Sequence, residues 1–162
     1  MNIGRMHVLM NMWRGLYKVL EGDLKESAEQ LGLTVSEQHL VWIIFHEKEL
    51  TVTALSELSL LNISTVTQVL KRLQNKGFIV LNKYPQDRRV SYIALTENGA
   101  LVADKILKQQ DDYRVLGYFD KAEEDLLLKM TKLQSEMNRY YHGDRFVNWV
   151  EKTKRSIDSS RM

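Results

Sequence analysis

Residues 62–95 read NISTVTQVLKRLQNKGFIVLNKYPQDRRVSYIAL, and a change of period inside this stretch decides the fold. From Ile63 to about Lys76 the apolar residues Val66, Val69, Leu70 and Leu73 recur three and four apart, the spacing of one helix face. Asn62 is placed to cap the start of this helix and Gly77 to stop it. Beyond Gly77 the period drops to two. Phe78 to Tyr84 and Arg89 to Leu95 read as strands, with Val90, Tyr92 and Ala94 alternating against Ser91 and Ile93. Pro85-Gln86-Asp87-Arg88 reads as the turn between them. The expected unit is a helix that feeds a β-hairpin with a basic tip.

Upstream of this unit lies a shorter helical stretch. Thr53 is its expected cap, Ala54, Leu55 and Leu58 face inward, and a turn at Leu60 to Asn62 follows. Before it a helix starts near Ser36, with Val35 and Leu40 spaced as a hydrophobic staple. Its body, Leu40-Val41-Trp42-Ile43-Ile44-Phe45, is apolar nearly all round, as in a helix buried at a domain centre. The N-terminal segment carries Met6, Leu9, Met10, Trp13, Leu16, Tyr17, Leu20 and Leu24 on one stripe and ends at Gly32. Downstream, Thr96 caps a helix from Glu97 to about Tyr113, and a break falls around Gly117. Asp120 and Glu123 are spaced as a capping box, and a long helix runs from Lys121 to about Tyr141. Gly143 interrupts it, Phe146, Val147, Trp149, Val150 and Ile157 continue amphipathically, and the tail from Asp158 to Met162 is expected to fray. The fold class is therefore mainly α with a small β-hairpin wing (α+β). One winged helix-turn-helix, residues 33–113, is flanked by helical segments 1–32 and 114–162.

The charge distribution points to a partner for the centre. The 162 residues suit one domain, and the formal net charge is only +2. Residues 62–90 hold six basic side chains and one acidic, whereas 1–61 hold five basic and eight acidic and 91–162 twelve of each. The absence of cysteine excludes disulfides, thiol nucleophiles and thiolate zinc sites. No apolar run approaches the ~20 residues that span a bilayer, and Met1 to Arg14 lacks the pattern of a signal peptide, so a cytoplasmic protein is expected.

A helix that enters the major groove needs one apolar stripe for its own domain and small polar or basic side chains opposite it. Ser64, Thr65, Thr67, Gln68, Lys71 and Arg72 lie off the stripe. A Gln can bond adenine in bidentate fashion, Ser and Thr suit phosphates or thymine methyls, and Lys and Arg suit phosphates or guanine. The helix alone is equally an ordinary solvated surface. The hairpin separates the two readings, because Asp87-Arg88-Arg89 at an exposed turn fits a narrow minor groove. Expected base readers are Ser64, Thr65, Thr67 and Gln68. Expected phosphate contacts are Thr53, Lys71, Arg72 and Lys83. Arg88 and Arg89 form the wing, with Asp87 orienting an arginine.

Leu50 to Gly99 resembles the MarR family of bacterial transcription regulators. The resemblance rests on Tyr84-Pro85-Gln86-Asp87-Arg88-Arg89, on Leu95-Thr96-Glu97-Asn98-Gly99, on Ser64-Thr65-Val66-Thr67 and on Leu73-Gln74-Asn75-Lys76-Gly77. Tyr84 and Gln86 depart from the common wing residues. Glu37 to Ile43 and Tyr141 to Phe146 resemble the Hpr (ScoC) branch of that family. The resemblance implies a sequence-specific, non-enzymatic DNA-binding regulator, most often a repressor. It implies a homodimer joined through the N- and C-terminal helices, whose stripes exceed what the small winged domain can cover. Two recognition helices would then meet half-sites of a pseudo-palindrome roughly 34 Å apart. Arg89 falls at the family's minor-groove arginine. A small aromatic effector is expected between the dimer helices and the winged domain, near Trp13, Tyr17, His39 and Trp42, where aromatics at helical spacing are also plain core.

Other constellations carry less. His39 and His46 stand seven apart, and His7 and His142 lie near the ends, but none has ligand spacing, so no metal or other cofactor is expected. No phosphate loop, nucleophile elbow or nucleophile–histidine pair is present, so no catalytic residue is expected. The alternative is a winged-helix protein-interaction module without DNA binding, which the basic block disfavours.

Overall fold

The computed structural model describes residues 2–84, 87–109 and 112–160; the side chains at 84, 87–89, 159 and 160 lie outside that description. Helix α2 (Val35–Glu47) is the centre on which the rest packs, and Leu40, Val41, Ile43 and Ile44 on it have no exposed surface. Each such side chain contributes about 1.5–3 kcal/mol of burial. Its cap is Thr34 rather than Ser36. Thr34 Oγ1 accepts from the Glu37 N–H at 3.2 Å, and the Glu37 carboxylate accepts from the Thr34 N–H at 2.8 Å. This reciprocal box satisfies two orphan donors where Ser36 alone satisfies one.

Helix α3 (Val52–Ser59) follows strand β1 (Glu49–Thr51), a three-residue element too short to carry a period. The strand ends in the extended backbone that a cap needs, so Thr51 caps α3, accepting from the Ala54 N–H at 3.2 Å. Thr53, the expected cap, sits instead in the first turn of α3 with its side chain exposed. Leu60 closes the turn in the left-handed region, at φ 57°, and Ser56 donates to the Leu61 carbonyl at 2.6 Å. Helix α4 (Ile63–Asn75) then starts on Asn62, as the sequence leads one to expect, and the chain leaves it through Gly77 at φ 73°.

Strands β2 (Ile79–Tyr84) and β3 (Asp87–Leu95) form the expected hairpin, and β1 adds a third strand on the far side of β3. The antiparallel register pairs Leu50 with Ile93 and Leu81 with Ile93, so the fully buried Ile93 anchors the sheet from its middle strand.

The remaining helices are α1 (Ile3–Gln30), α5 (Glu97–Gln109), α6 (Arg114–Phe119), α7 (Glu124–His142) and α8 (Asp144–Ser160). Three sequence expectations are corrected here. The break falls between Gln109 and Arg114, and α6 runs through Gly117. Glu123 caps α7 without a side-chain hydrogen bond, so Asp120 and Glu123 form no capping box. Helix α8 continues to Ser160 past the expected fraying at Asp158. Asp23 ties α1 to α6, accepting from Arg114 Nε at 2.6 Å and from the Val115 N–H at 3.2 Å. Burial pushes the Asp23 carboxyl up, but these two donors outweigh it and hold it below the usual carboxylate range. Helix α8 lies on α2 and α3: Trp149 joins the core, Arg145 pairs with Glu57, and Lys152 Nζ meets Glu47 at 2.9 Å. Among the described residues no helix is long and apolar enough to cross a membrane.

The junction of wing and α5 explains Leu95-Thr96-Glu97-Asn98-Gly99. Thr96 donates its hydroxyl to the Gly77 carbonyl at 2.7 Å and accepts from the Gly99 N–H at 3.0 Å, capping α5 while holding the exit of α4. The Thr96 N–H donates to the Phe78 carbonyl at 3.0 Å. A Cβ on residue 99 would overlap that same carbonyl, so only glycine lets the strand and the helix approach. Gly99→Ala should therefore cost about 1–3 kcal/mol of stability and lower the thermal midpoint by several degrees. An unchanged melt would show that the Phe78 carbonyl can retreat.

Candidate nucleic-acid interface

Helix α4 divides cleanly along its length. Val66, Val69, Leu70 and Leu73 are buried against the core, and Ser64, Thr67, Gln68, Lys71 and Arg72 are exposed, with Thr65 intermediate. The cap arranges the first turn. Asn62 Oδ1 accepts from the Thr65 N–H and from the Ser64 hydroxyl, at 2.8 and 2.7 Å. Thr67 donates its hydroxyl back to the Ile63 carbonyl at 2.8 Å, which turns its methyl and its remaining lone pairs outward. Ser64 and Thr67 have thus spent their protons inside the helix and meet a ligand chiefly as acceptors. No hydrogen bond or ion pair joins Gln68 or Lys71 to a described residue, so both are free to reach outward.

Arg72 is placed differently from Lys71. Its Nε donates to Glu37 Oε1 at 3.2 Å, and Lys76 Nζ donates to Glu37 Oε2 at 2.8 Å and to the Gly32 carbonyl at 2.8 Å. Glu37 itself is 1% exposed. One buried carboxylate therefore fastens the last turns of α4 to the start of α2. Arg72 keeps its terminal nitrogens for a phosphate while its stem is held. The signal for Glu37 was present in Thr34-Val35-Ser36-Glu37, a capping-box spacing, but its second task needs the tertiary approach of α4.

The other expected contacts frame this face. Thr53 is exposed at the start of α3, and Lys83 is exposed near the end of β2. Asp87, Arg88 and Arg89 occupy the start of β3, while the positions of their side chains lie outside the described residues, as does the turn at 85–86.

The four residues expected around an effector do not share one pocket. Trp13 and Tyr17 line an open groove of about 770 Å³ between α1, α6 and α7. His39 and Trp42 line a second cavity of about 560 Å³, walled by α2, α5 and α8. The sequence carries no signal for this division, which follows from where α8 docks. Burial lowers the His39 pKa against an opposing backbone hydrogen bond at Ser59, and burial also lowers that of His46. Among the described residues no three His, Asp or Glu side chains converge as a metal site would need.

Burial pushes the Glu37 carboxyl up, but Lys76, the Thr34 N–H and Arg72 together hold it below its ordinary value of 4.5. A carboxyl lowered in the folded state contributes stability above its unfolded pKa and loses it as pH falls through the folded one. Glu37→Gln should cost about 1–3 kcal/mol at neutral pH and lose less than the native chain on acidification from about pH 4.5 downward. Urea melts of both proteins across that range check this. Parallel acid limbs would show that Glu37 does not carry the linkage.

The sequence model described as MarR family matches residues 33–91, from the turn before α2 to the middle of β3. The HTH-type transcriptional regulator Hpr of Geobacillus thermodenitrificans is 30% identical over 101 residues, which are 62% of this chain and 50% of that protein. The DNA-binding transcriptional repressor ScoC of Bacillus subtilis is 23% identical over 158 residues, covering 90% of this chain and 73% of that one. The chain spans about half the length of the Geobacillus relatives it matches. A MarR family transcriptional regulator from Streptomyces coelicolor, solved in complex with DNA, shares the fold at TM-score 0.76. It is 15% identical, with 86% of this chain and 89% of that chain covered. Residues 33–91 thus carry the pattern of the MarR family, and the chain shares its fold with solved MarR family regulators through the flanking helices as well.

Proposed function

We propose that this chain is a sequence-specific duplex-DNA-binding transcription regulator, acting as a homodimer and repressing its targets in the cytoplasm. The observation that carries the reading is α4, whose buried Val66/Val69/Leu70/Leu73 stripe aims Ser64, Thr67, Gln68 and Lys71 outward as one polar and basic face. A protein-interaction module would have no use for a cationic face of this kind beside a wing bearing Arg88 and Arg89. Repression is supported by the printed name of the Bacillus subtilis relative.

The dimer is supported by what the flanking helices leave uncovered. Helix α7 buries none of its residues, and Leu126, Leu128 and Leu133 on it are more than half exposed. Met6, Met10, Trp13 and Tyr17, all exposed, add an apolar face on α1. A monomer rarely leaves so much apolar surface in water. A two-fold pair would set two α4 helices on half-sites roughly 34 Å apart. A small molecule held beside α1 or α2 would release the DNA by shifting the two helices relative to each other.

The reading is tested on DNA selected by the protein from a random pool. Gln68→Ala should weaken the selected site by about 1–3 kcal/mol and leave random duplex little changed. Equal losses on both would make Gln68 a backbone contact, and no loss would remove it from the interface. Arg89→Ala should weaken selected and random duplexes alike. It should also reduce the slope of log K against log salt by about 1 per subunit, because one fewer counterion is displaced. The melt should stay unchanged, since a single surface-charge contact contributes little to stability. An unchanged slope would take the wing off the DNA.

A further inference from the structure

The hydrogen bonds at the start of α4 fix the polarity of its outward face. Asn62 Oδ1 accepts from the Thr65 N–H at 2.8 Å, which marks that atom as the amide oxygen. The Ser64 hydroxyl, 2.7 Å from the same atom, can therefore only donate to it. The Thr67 hydroxyl meets the Ile63 carbonyl at 2.8 Å, and a carbonyl likewise has no hydrogen to give. A hydroxyl carries one proton and two lone pairs. Both protons are thus committed inside the helix while both side chains stay exposed, and lone pairs are what Ser64 and Thr67 present outward.

That polarity selects among the groups a duplex offers. Phosphate oxygens accept hydrogen bonds, and so do guanine N7 and O6, adenine N7 and thymine O4. None has a hydrogen for an acceptor. The donors on the major-groove edge are the exocyclic amines, adenine N6 and cytosine N4. Successive helical residues turn by about 100°, so positions 64, 67, 68 and 71 fall on one strip of α4 about 100° wide. Along that strip Ser64 and Thr67 accept, Gln68 carries both a carbonyl and an amide NH2, and Lys71 only donates. The strip therefore passes from acceptors to a donor over about 10 Å, or roughly three base-pair steps.

We propose that Ser64 and Thr67 read exocyclic amino groups in the major groove, adenine N6 or cytosine N4, and bond neither a phosphate nor a guanine edge. Lys71, with donors only, takes the guanine edge or the phosphate instead. Every base pair carries one such amine, so each hydroxyl distinguishes the orientation of a pair, A·T from T·A or C·G from G·C. Residue type alone suits Ser and Thr to phosphates; the acceptors at Asn62 and Ile63 reverse that. This inference rests on the regulator reading above and names the base chemistry that reading leaves open.

The test is a coupling measurement on the duplex that the full chain enriches from a random pool. Each adenine of a half-site, on either strand, is replaced in turn by purine and each cytosine by 2-pyrimidinone, bases that lack only the amine. Each guanine is replaced by 7-deazaguanine, which lacks N7. Binding is read for the native chain, Ser64→Ala, Thr67→Val and Thr67→Ser. Removing a read amine should weaken the native chain about fivefold, the size of one hydrogen bond. Thr67→Val keeps the shape and deletes the oxygen, so it should bind the unmodified duplex about fivefold more weakly and lose nothing further at one amine. Ser64→Ala should behave alike at a second amine, and Thr67→Ser should keep the native dependence. The pairing bond that a missing amine costs the duplex is common to all four proteins and cancels in the comparison. A coupled purine identifies adenine as the base read, and a coupled 2-pyrimidinone identifies cytosine. For either residue, no coupling at any amine, coupling to 7-deazaguanine in its place, or equal losses on enriched and random duplex would overturn the inference and leave the regulator reading standing. Enrichment of no duplex would overturn both.

Discussion

The Glu37 carboxylate is the fastening on which the placement of α4 depends. It is buried, it closes the capping box of α2, and it takes a donor from each of Arg72 and Lys76 near the end of α4. Buried ion pairs contribute little net stability, because desolvation offsets much of the attraction. Their strength is geometric. The apolar stripe of α4 fixes which side faces the core, but a greasy surface tolerates small rotations and slides. A carboxylate that must satisfy Thr34, Arg72 and Lys76 together does not. Lys76 extends the same bond set to the Gly32 carbonyl, so the turn between α1 and α2 is fixed by it too. Lys71 sits one residue before Arg72, about 100° around the helix, and that rotation alone leaves one cation free while its neighbour is held.

A second fastening fixes the wing. Thr96 bonds the Gly77 carbonyl and the Gly99 N–H with one hydroxyl, and Gly99 lets the Phe78 carbonyl come close. The exit of α4, the first residue of the hairpin and the first turn of α5 thus share one knot. The reading helix and the wing leave the same point, so their relative angle is set there.

Most of this architecture could be read from the chain because its signals are local. The stripe at 66, 69, 70 and 73, the Asn62 cap and the alternation after Gly77 each lie within one element, and each is found where it was expected. The readings that failed needed information from elsewhere. Strand β1 is three residues long and exists because Leu50 finds Ile93 across the sheet. Thr51 outranks Thr53 as a cap only once that strand exists. The Asp120 and Glu123 pair had the spacing of a capping box, but spacing does not compel the backbone to enter the helix at that residue. At the interface, residue types identified the outward face of α4, whereas the loss of the Arg72 stem to Glu37 belongs to tertiary structure. The grouping of Trp13, Tyr17, His39 and Trp42 failed for the same reason, since α8 and α7 close different spaces against the two pairs.

Gln38 occupies the point where these parts meet. Its amide nitrogen joins a polar cluster that runs from Ser27 on α1 to Gln109 on α5 and on to Gln30, with the Tyr113 hydroxyl 3.4 Å from Ser27. Its amide oxygen is buried without a hydrogen-bond partner among the described residues. One residue earlier, Glu37 holds α4. A hydrogen bond made or lost at Gln38 therefore acts on the first turn of α2, between the long helix proposed to pair subunits and the helix proposed to read DNA. In the proposed reading this is a short mechanical path: the neighbouring residues Glu37 and Gln38 point about 100° apart on one helix, one toward α4 and one toward Ser27 on α1. A shift of α2 by a fraction of a turn would strain both sets of bonds, so the two together hold the start of α2 against rotation.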